Sequence, residues 1–140
     1  MPVGKSGIHQ INLFNKNNMS TRSELMIKIR PKVVYDKSLD SSASERFQNE
    51  TLRPIAKLQN EMIIAYFLKD LGNIDLPKGS RDRATMIEER LKKNLTLKNI
   101  LVGMVVALFT EEEFVIYQSD ISGMNKRIII LLVQRLQSQL

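Results

Sequence analysis

Ten consecutive residues, Ile100 to Phe109, read Ile-Leu-Val-Gly-Met-Val-Val-Ala-Leu-Phe and carry no polar side chain. No other stretch of the chain is as hydrophobic, so the fold must be organised around it. The run predicts a helix that is apolar on every side and therefore buried all round. Each large side chain buried there is worth about 1.5–3 kcal/mol before chain entropy is subtracted. Ten residues are too few for a membrane span, which needs about 20. The remaining helices must pack around this one.

Helical spacing recurs on both sides of the run. Phe47, Leu52, Ile55, Leu58, Met62, Tyr66 and Leu68 form a long stripe, with Ser42 and Glu45 at capping-box spacing ahead of it. Pro54 lacks a donor and clashes with the carbonyl of Glu50, so a kink or a fresh start is expected there. Leu71-Gly72-Asn73 supplies a stop. A second helix, 80–94, carries the narrow stripe Ala84, Ile87 and Leu91. Thr96 is expected to cap the central helix, 97–109. Thr110 with Glu113 forms another capping box and opens a short helix, 111–118. A last helix, 121–138, places Met124, Ile128, Leu131, Leu132 and Leu136 on one side. The expectation is an all-α fold, a compact helical bundle of about five helices (42–71, 80–94, 97–109, 111–118 and 121–138) with an extended N-terminal arm.

Three segments follow from this pattern. Residues 1–24 are rich in Asn, Ser, Lys and Gly without any period, and are expected to be a disordered arm. Residues 25–41 are expected to be an extended segment and linker. Ile27 and Ile29 alternate there with Lys28 and Arg30, and Pro31 biases Arg30 toward extended geometry. Residues 42–140 form the helical domain. No apolar stretch of 7–15 residues stands near the N-terminus, so no signal peptide is expected and the cytoplasm is the default compartment.

Several stretches resemble a family of short bacterial proteins. They are Phe47-Gln48-Asn49-Glu50-Thr51-Leu52-Arg53-Pro54-Ile55 with Lys57-Leu58-Gln59-Asn60, then Leu108-Phe109-Thr110-Glu111-Glu112-Glu113-Phe114, then Arg135-Leu136-Gln137-Ser138-Gln139-Leu140. The resemblance covers roughly residues 26–140. It implies an all-helical fold and no established activity, although some members carry the label "glyoxalase". The residues oppose that label. The glyoxalase class holds a divalent metal with His and Glu side chains inside paired βαβββ modules. This chain has one histidine, His9, and no series of strands. Glu-x-x-His pairs, which a di-iron bundle requires, do not occur.

Other chemistries leave equally little trace. The chain has no cysteine, which excludes disulfides, thiolate metal sites and cysteine nucleophiles. Glu111, Glu112 and Glu113 are consecutive and point about 100° apart on a helix, so they cannot converge on one ion. They read as favourable charge at a helix N-terminus. No cofactor is expected, and no metal. The net charge of +6 invites an anionic partner, yet residues 51–140 hold 13 Lys/Arg against 10 Asp/Glu. The sharpest basic cluster is Lys78, Arg81, Arg83, Arg90, Lys92 and Lys93, offset by Asp82, Glu88 and Glu89. It offers an anion-binding or weak nucleic-acid-binding patch. Helices 80–94 and 97–109 could mimic a helix-turn-helix pair, but the reading helix would then be almost wholly apolar and unable to address base edges. Met62, Tyr66, Met86, Met104 and Tyr117 could line a pocket inside the bundle, although at helical spacing such residues are usually core.

The sequence therefore predicts a non-enzymatic helical assembly or interaction module that self-associates, most simply as a homodimer, or meets another protein. The alternatives are nucleic-acid binding through residues 78–93 and an enzyme whose site one sequence does not reveal. Gly103 and Ala107 lie four residues apart in the central helix. Gly in a helix interior costs about 1 kcal/mol relative to Ala. A packing reason is therefore expected, with the face of Met124, Ile128, Leu131 and Leu132 approaching closely, in the same chain or in a second copy.

Overall fold

The structure is a computed structural model, and it describes residues 19–140. The part of the expected disordered arm within residues 1–18 lies outside the described residues. Among those described, regular structure is all helical, with seven helices where the sequence predicted about five. They are α1 (Thr21–Ile29), α2 (the continuous segments Ala43–Phe47, Gln48–Leu52 and Arg53–Leu58), α3 (Asn60–Leu71), α4 (Ser80–Lys93), α5 (Leu95–Val106), α6 (Glu111–Ser119) and α7 (Ile121–Gln139). A 3-10 turn, Lys37–Leu39, lies between α1 and α2.

The largest departure from expectation is α1. Residues 25–29 are helical rather than extended, and residues 21–24 belong to the same helix rather than to an unstructured arm. Ser20 caps it, accepting from the Ser23 amide at 3.0 Å. The alternation of Ile27 and Ile29 is too short to impose a strand, and both side chains remain about half exposed. Pro31 still acts as its chemistry requires. It ends the helix and holds Arg30 extended, at φ −70° and ψ 132°.

In α2, Pro54 produces no break. The chain answers it with a π-turn over Gln48–Leu52, closed by the Arg53 amide on the Gln48 carbonyl. The wider turn relieves the proline ring and absorbs an irregular apolar spacing. Phe47 and Leu52, five residues apart, would diverge by about 140° on an ideal α-helix. Both are buried here. The expected single helix 42–71 instead pauses at Gln59 (φ −89°, ψ 5°), whose side-chain amide donates to the Met104 carbonyl at 2.9 Å. Gly72, at φ 59°, ends α3 as its sequence suggests.

The core sits where α5 and α7 meet α3 and α4. Leu97, Leu101, Val105, Ile87, Leu91, Ile63, Phe67, Ile128, Leu132 and Leu136 are fully enclosed. Asp70 ties the α3, α4 and α5 ends together, accepting from Arg90 Nε at 2.8 Å and Asn94 Nδ2 at 3.2 Å. Asn94, not Thr96, caps α5. At the far end, Phe47, Phe109 and Tyr117 form an edge-to-face chain, with centroids 5.6 and 5.7 Å apart.

The central helix is not buried all round. Leu95, Thr96, Asn99, Ile100, Gly103 and Ala107 face solvent along one side. A Cβ built on Gly103 meets nothing within 4 Å, so among the described residues no helix closes on it. Met124, Ile128, Leu131 and Leu132 are core residues that pack away from that glycine. With open space and helical geometry, Gly103→Ala should raise stability by about 0.5–1 kcal/mol. Thermal unfolding at low protein concentration measures this, and an unchanged or lowered midpoint would contradict it.

Candidate functional site

Two helix ends meet below α1. α5 finishes at Val106 and α6 starts at Glu111, leaving carbonyls of the intervening corner to be satisfied. α1 supplies the donors. Arg22 and Arg30, two turns apart and on one side of the helix, reach down together. Arg22 Nη1 donates to the Phe109 carbonyl at 2.6 Å and Nη2 to that of Ala107 at 2.8 Å. Arg30 Nη2 donates to the Leu108 carbonyl at 2.9 Å. The Glu111 amide in turn donates to Ser23 Oγ at 3.2 Å.

Glu113 is the centre of this corner. Its carboxylate receives both terminal nitrogens of Arg30, with Nη1 to Oε2 at 2.7 Å. It also accepts from Thr51 Oγ1 at 2.8 Å and from the Thr110 amide at 2.8 Å. The last contact completes the capping box that the Thr110–Glu113 spacing predicts. Burial opposes ionisation of Glu113. The bonds from Arg30, Thr110 and Thr51 outweigh it and hold the carboxyl below its ordinary value of 4.5.

Beside this network lies a cleft of about 560 Å³ between α1, α2 and α6. Phe47 forms part of its wall, and Met19, Ile27, Val115 and Ile116 add apolar surface that is otherwise 39–54% exposed. Ser23, Thr51 and Thr110 also line it, and these are the polar side chains that the described residues bury. Arg46, Glu50 and Glu112 complete the charged part of the lining together with Glu113. The capping box is the one part of this site with a sequence signal. Nothing in the local sequence joins Ser23 or Thr51 to it.

The basic segment is arranged differently from a nucleic-acid surface. Arg83 donates to the carbonyls of Pro77 and Lys78, and Arg90 pairs with Asp70. Lys92 and Lys93 pair with Glu88 and Glu89 one turn earlier. Among the described residues, Lys78 and Arg81 alone of the six keep side chains without a partner. Arg90 and Lys93 line a shallow crevice of about 380 Å³ with Met86, Glu89 and Asn94. The residues considered for an internal pocket do not gather. Met62 faces solvent, Tyr117 is core with its hydroxyl on Asn125 at 2.6 Å, and Met86 alone of the five lines the crevice. Among the described residues no group of His, Cys, Asp or Glu side chains is placed to hold a metal ion, and no helix is long and apolar enough to cross a membrane. No family model, curated protein or solved structure matches the chain.

Arg30 and Glu113 are both largely buried, at 10% and 15% side-chain exposure. Removing one partner strands the other, so Arg30→Ala should cost about 3 kcal/mol at neutral pH. The folded carboxyl titrates lower than the unfolded one. Its contribution is therefore fully present above pH 4.5 and is lost as pH falls through the folded value. The stability gap between wild type and Glu113→Gln should shrink from about pH 5 to about pH 3, across the carboxylate range. Denaturant unfolding at both pH values checks this, and a gap that widened in acid would overturn it.

Proposed function

We propose that the protein is a non-enzymatic helical interaction module that self-associates through the solvent-facing side of α5. One observation supports the reading most. Leu95, Thr96, Asn99, Ile100, Gly103 and Ala107 share an exposed side without a single charge, in a chain in which 26% of residues are charged. An uncharged surface on a protein of net charge +6 is where two copies approach with least repulsion.

Gly103 gives this side its shape. The glycine weakens its own helix, and among the described residues nothing packs on it, so the space above it is open. Small residues at 103 and 107 let a second helix come close, and Ile100 supplies an apolar knob beside them. A two-fold pairing, with the same side of α5 on both copies, uses all of these features at once. A homodimer is the simplest product. The same side would serve another protein that presents a small-residue helix.

The test is the mass in solution. Light scattering after gel filtration should show a dimer that dissociates on dilution. Ile100→Glu and Gly103→Arg should each shift it to monomer with the helical spectrum intact. A wild-type monomer at all accessible concentrations would overturn the reading, as would a dimer untouched by both substitutions.

A further inference from the structure

We propose that the cleft between α1, α2 and α6 binds a small amphipathic amine, an apolar tail carrying one ammonium head. This site is separate in its residues from the α5 surface and stands without it. The volume comes first. About 560 Å³ lies within the ~300–1,000 Å³ typical of small-molecule sites. A small molecule fits it.

The tail is specified by four side chains from two sides of the cleft. Met19 and Ile27 come from the α1 side and Val115 and Ile116 from α6. All four are well exposed in the free protein, yet they line the same cleft as the buried Phe47 ring. Covering them removes apolar surface from water that folding alone leaves wet. The polar part of the lining is not ordinary surface either. Ser23 and Thr110, 4% and 5% exposed, each accept one backbone amide and retain hydrogen-bonding capacity toward the cleft.

The sign of the head follows from the charges left over. Glu113 is spent on Arg30. Arg46 and Glu50, four residues apart on α2, form no ion pair among the described residues but cancel in the sum of the lining charges, and Glu50 also accepts from the Tyr35 hydroxyl at 3.3 Å. Glu112 remains, exposed and without a partner among the described residues. The uncompensated charge of the lining is thus negative, and a carboxylate head would meet it unfavourably. An ammonium gains the Glu112 charge and accepting oxygens from the hydroxyls.

Three probes with one tail and different heads decide the matter: octylammonium, octanol and octanoate, each below its micelle concentration. Amide shifts of the full isotopically labelled chain should move around Ser23, Ile27, Thr110 and Ile116. Octylammonium should bind about three- to fivefold more tightly than octanol, the scale of one solvent-exposed charge contact, and octanoate most weakly. Glu112→Gln should remove the preference for the amine and leave octanol unchanged. Ile116→Trp, at an exposed position, should fill the cleft and abolish all three responses with the helical spectrum intact. Octanoate binding as tightly as octylammonium would overturn the proposal. So would equal affinity for octanol and octylammonium, shifts away from the cleft, or no shift with any probe.

Discussion

One carboxylate holds four segments of this protein together. Glu113 accepts from Arg30 at the end of α1, from Thr51 in α2 and from Thr110 at the corner between α5 and α6. Each contact alone is a modest net gain. Their convergence matters because a buried carboxylate is costly unless its lone pairs are filled. Here four donors fill them, and Arg30 cancels the charge. The corner can therefore turn sharply after the apolar helix without leaving its polar ends exposed to a dry interior. The same arrangement makes the end of the molecule sensitive to a single side chain, since losing Arg30 leaves both Glu113 and the Leu108 carbonyl short of a donor.

This corner explains the unusual character of α1. A nine-residue helix normally docks by an apolar stripe. α1 docks through Arg22, Ser23 and Arg30, while Leu25, Ile27 and Ile29 stay about half exposed. The helix serves the backbone of its neighbours before it serves the core. A cleft follows directly. An element held by polar contacts at its two ends need not seat its apolar side chains, and the space below Ile27 is left open over Phe47.

Much of the fold was legible in the sequence, and the reasons are local. The Thr110–Glu113 box, the Gly72 stop and the stripes of α4 and α7 depend on spacings within one or two turns, and all appear where the pattern places them. α1 departs from its local pattern because its stability comes from residues about 80 positions away, and its own apolar pattern is indifferent between helix and strand. The exposed side of the central run has a related reason. A sequence made only of apolar residues carries no mark of which side faces water, so the exposure of Ile100 and Gly103 could not be read from it. For the candidate site, the Glu113 box was visible, whereas Ser23 and Thr51 join it only through tertiary contacts. The basic cluster misled by composition, since its charges are spent on carboxylates and carbonyls within or beside α4.

Pro54 links the core to that site by a chain of steric consequences. Its ring forbids ordinary α-helical packing against the carbonyl of Glu50, and the backbone widens into a π-turn immediately before it. In that turn Thr51 and Leu52 are both buried, yet they go to different places. Leu52 enters the core, and Thr51 turns its hydroxyl to Glu113. Consecutive residues on a regular helix differ by about 100°, and a regular helix running from Phe47 would bury Thr51 and turn Leu52 away. The added width of the π-turn brings Leu52 inward while Thr51 keeps its contact. A proline that looks like a helix breaker thus permits one helix to serve both the apolar core and the polar corner, and the cleft wall bearing Arg46, Phe47, Glu50 and Thr51 is built on the turn it induces and the residues leading into it.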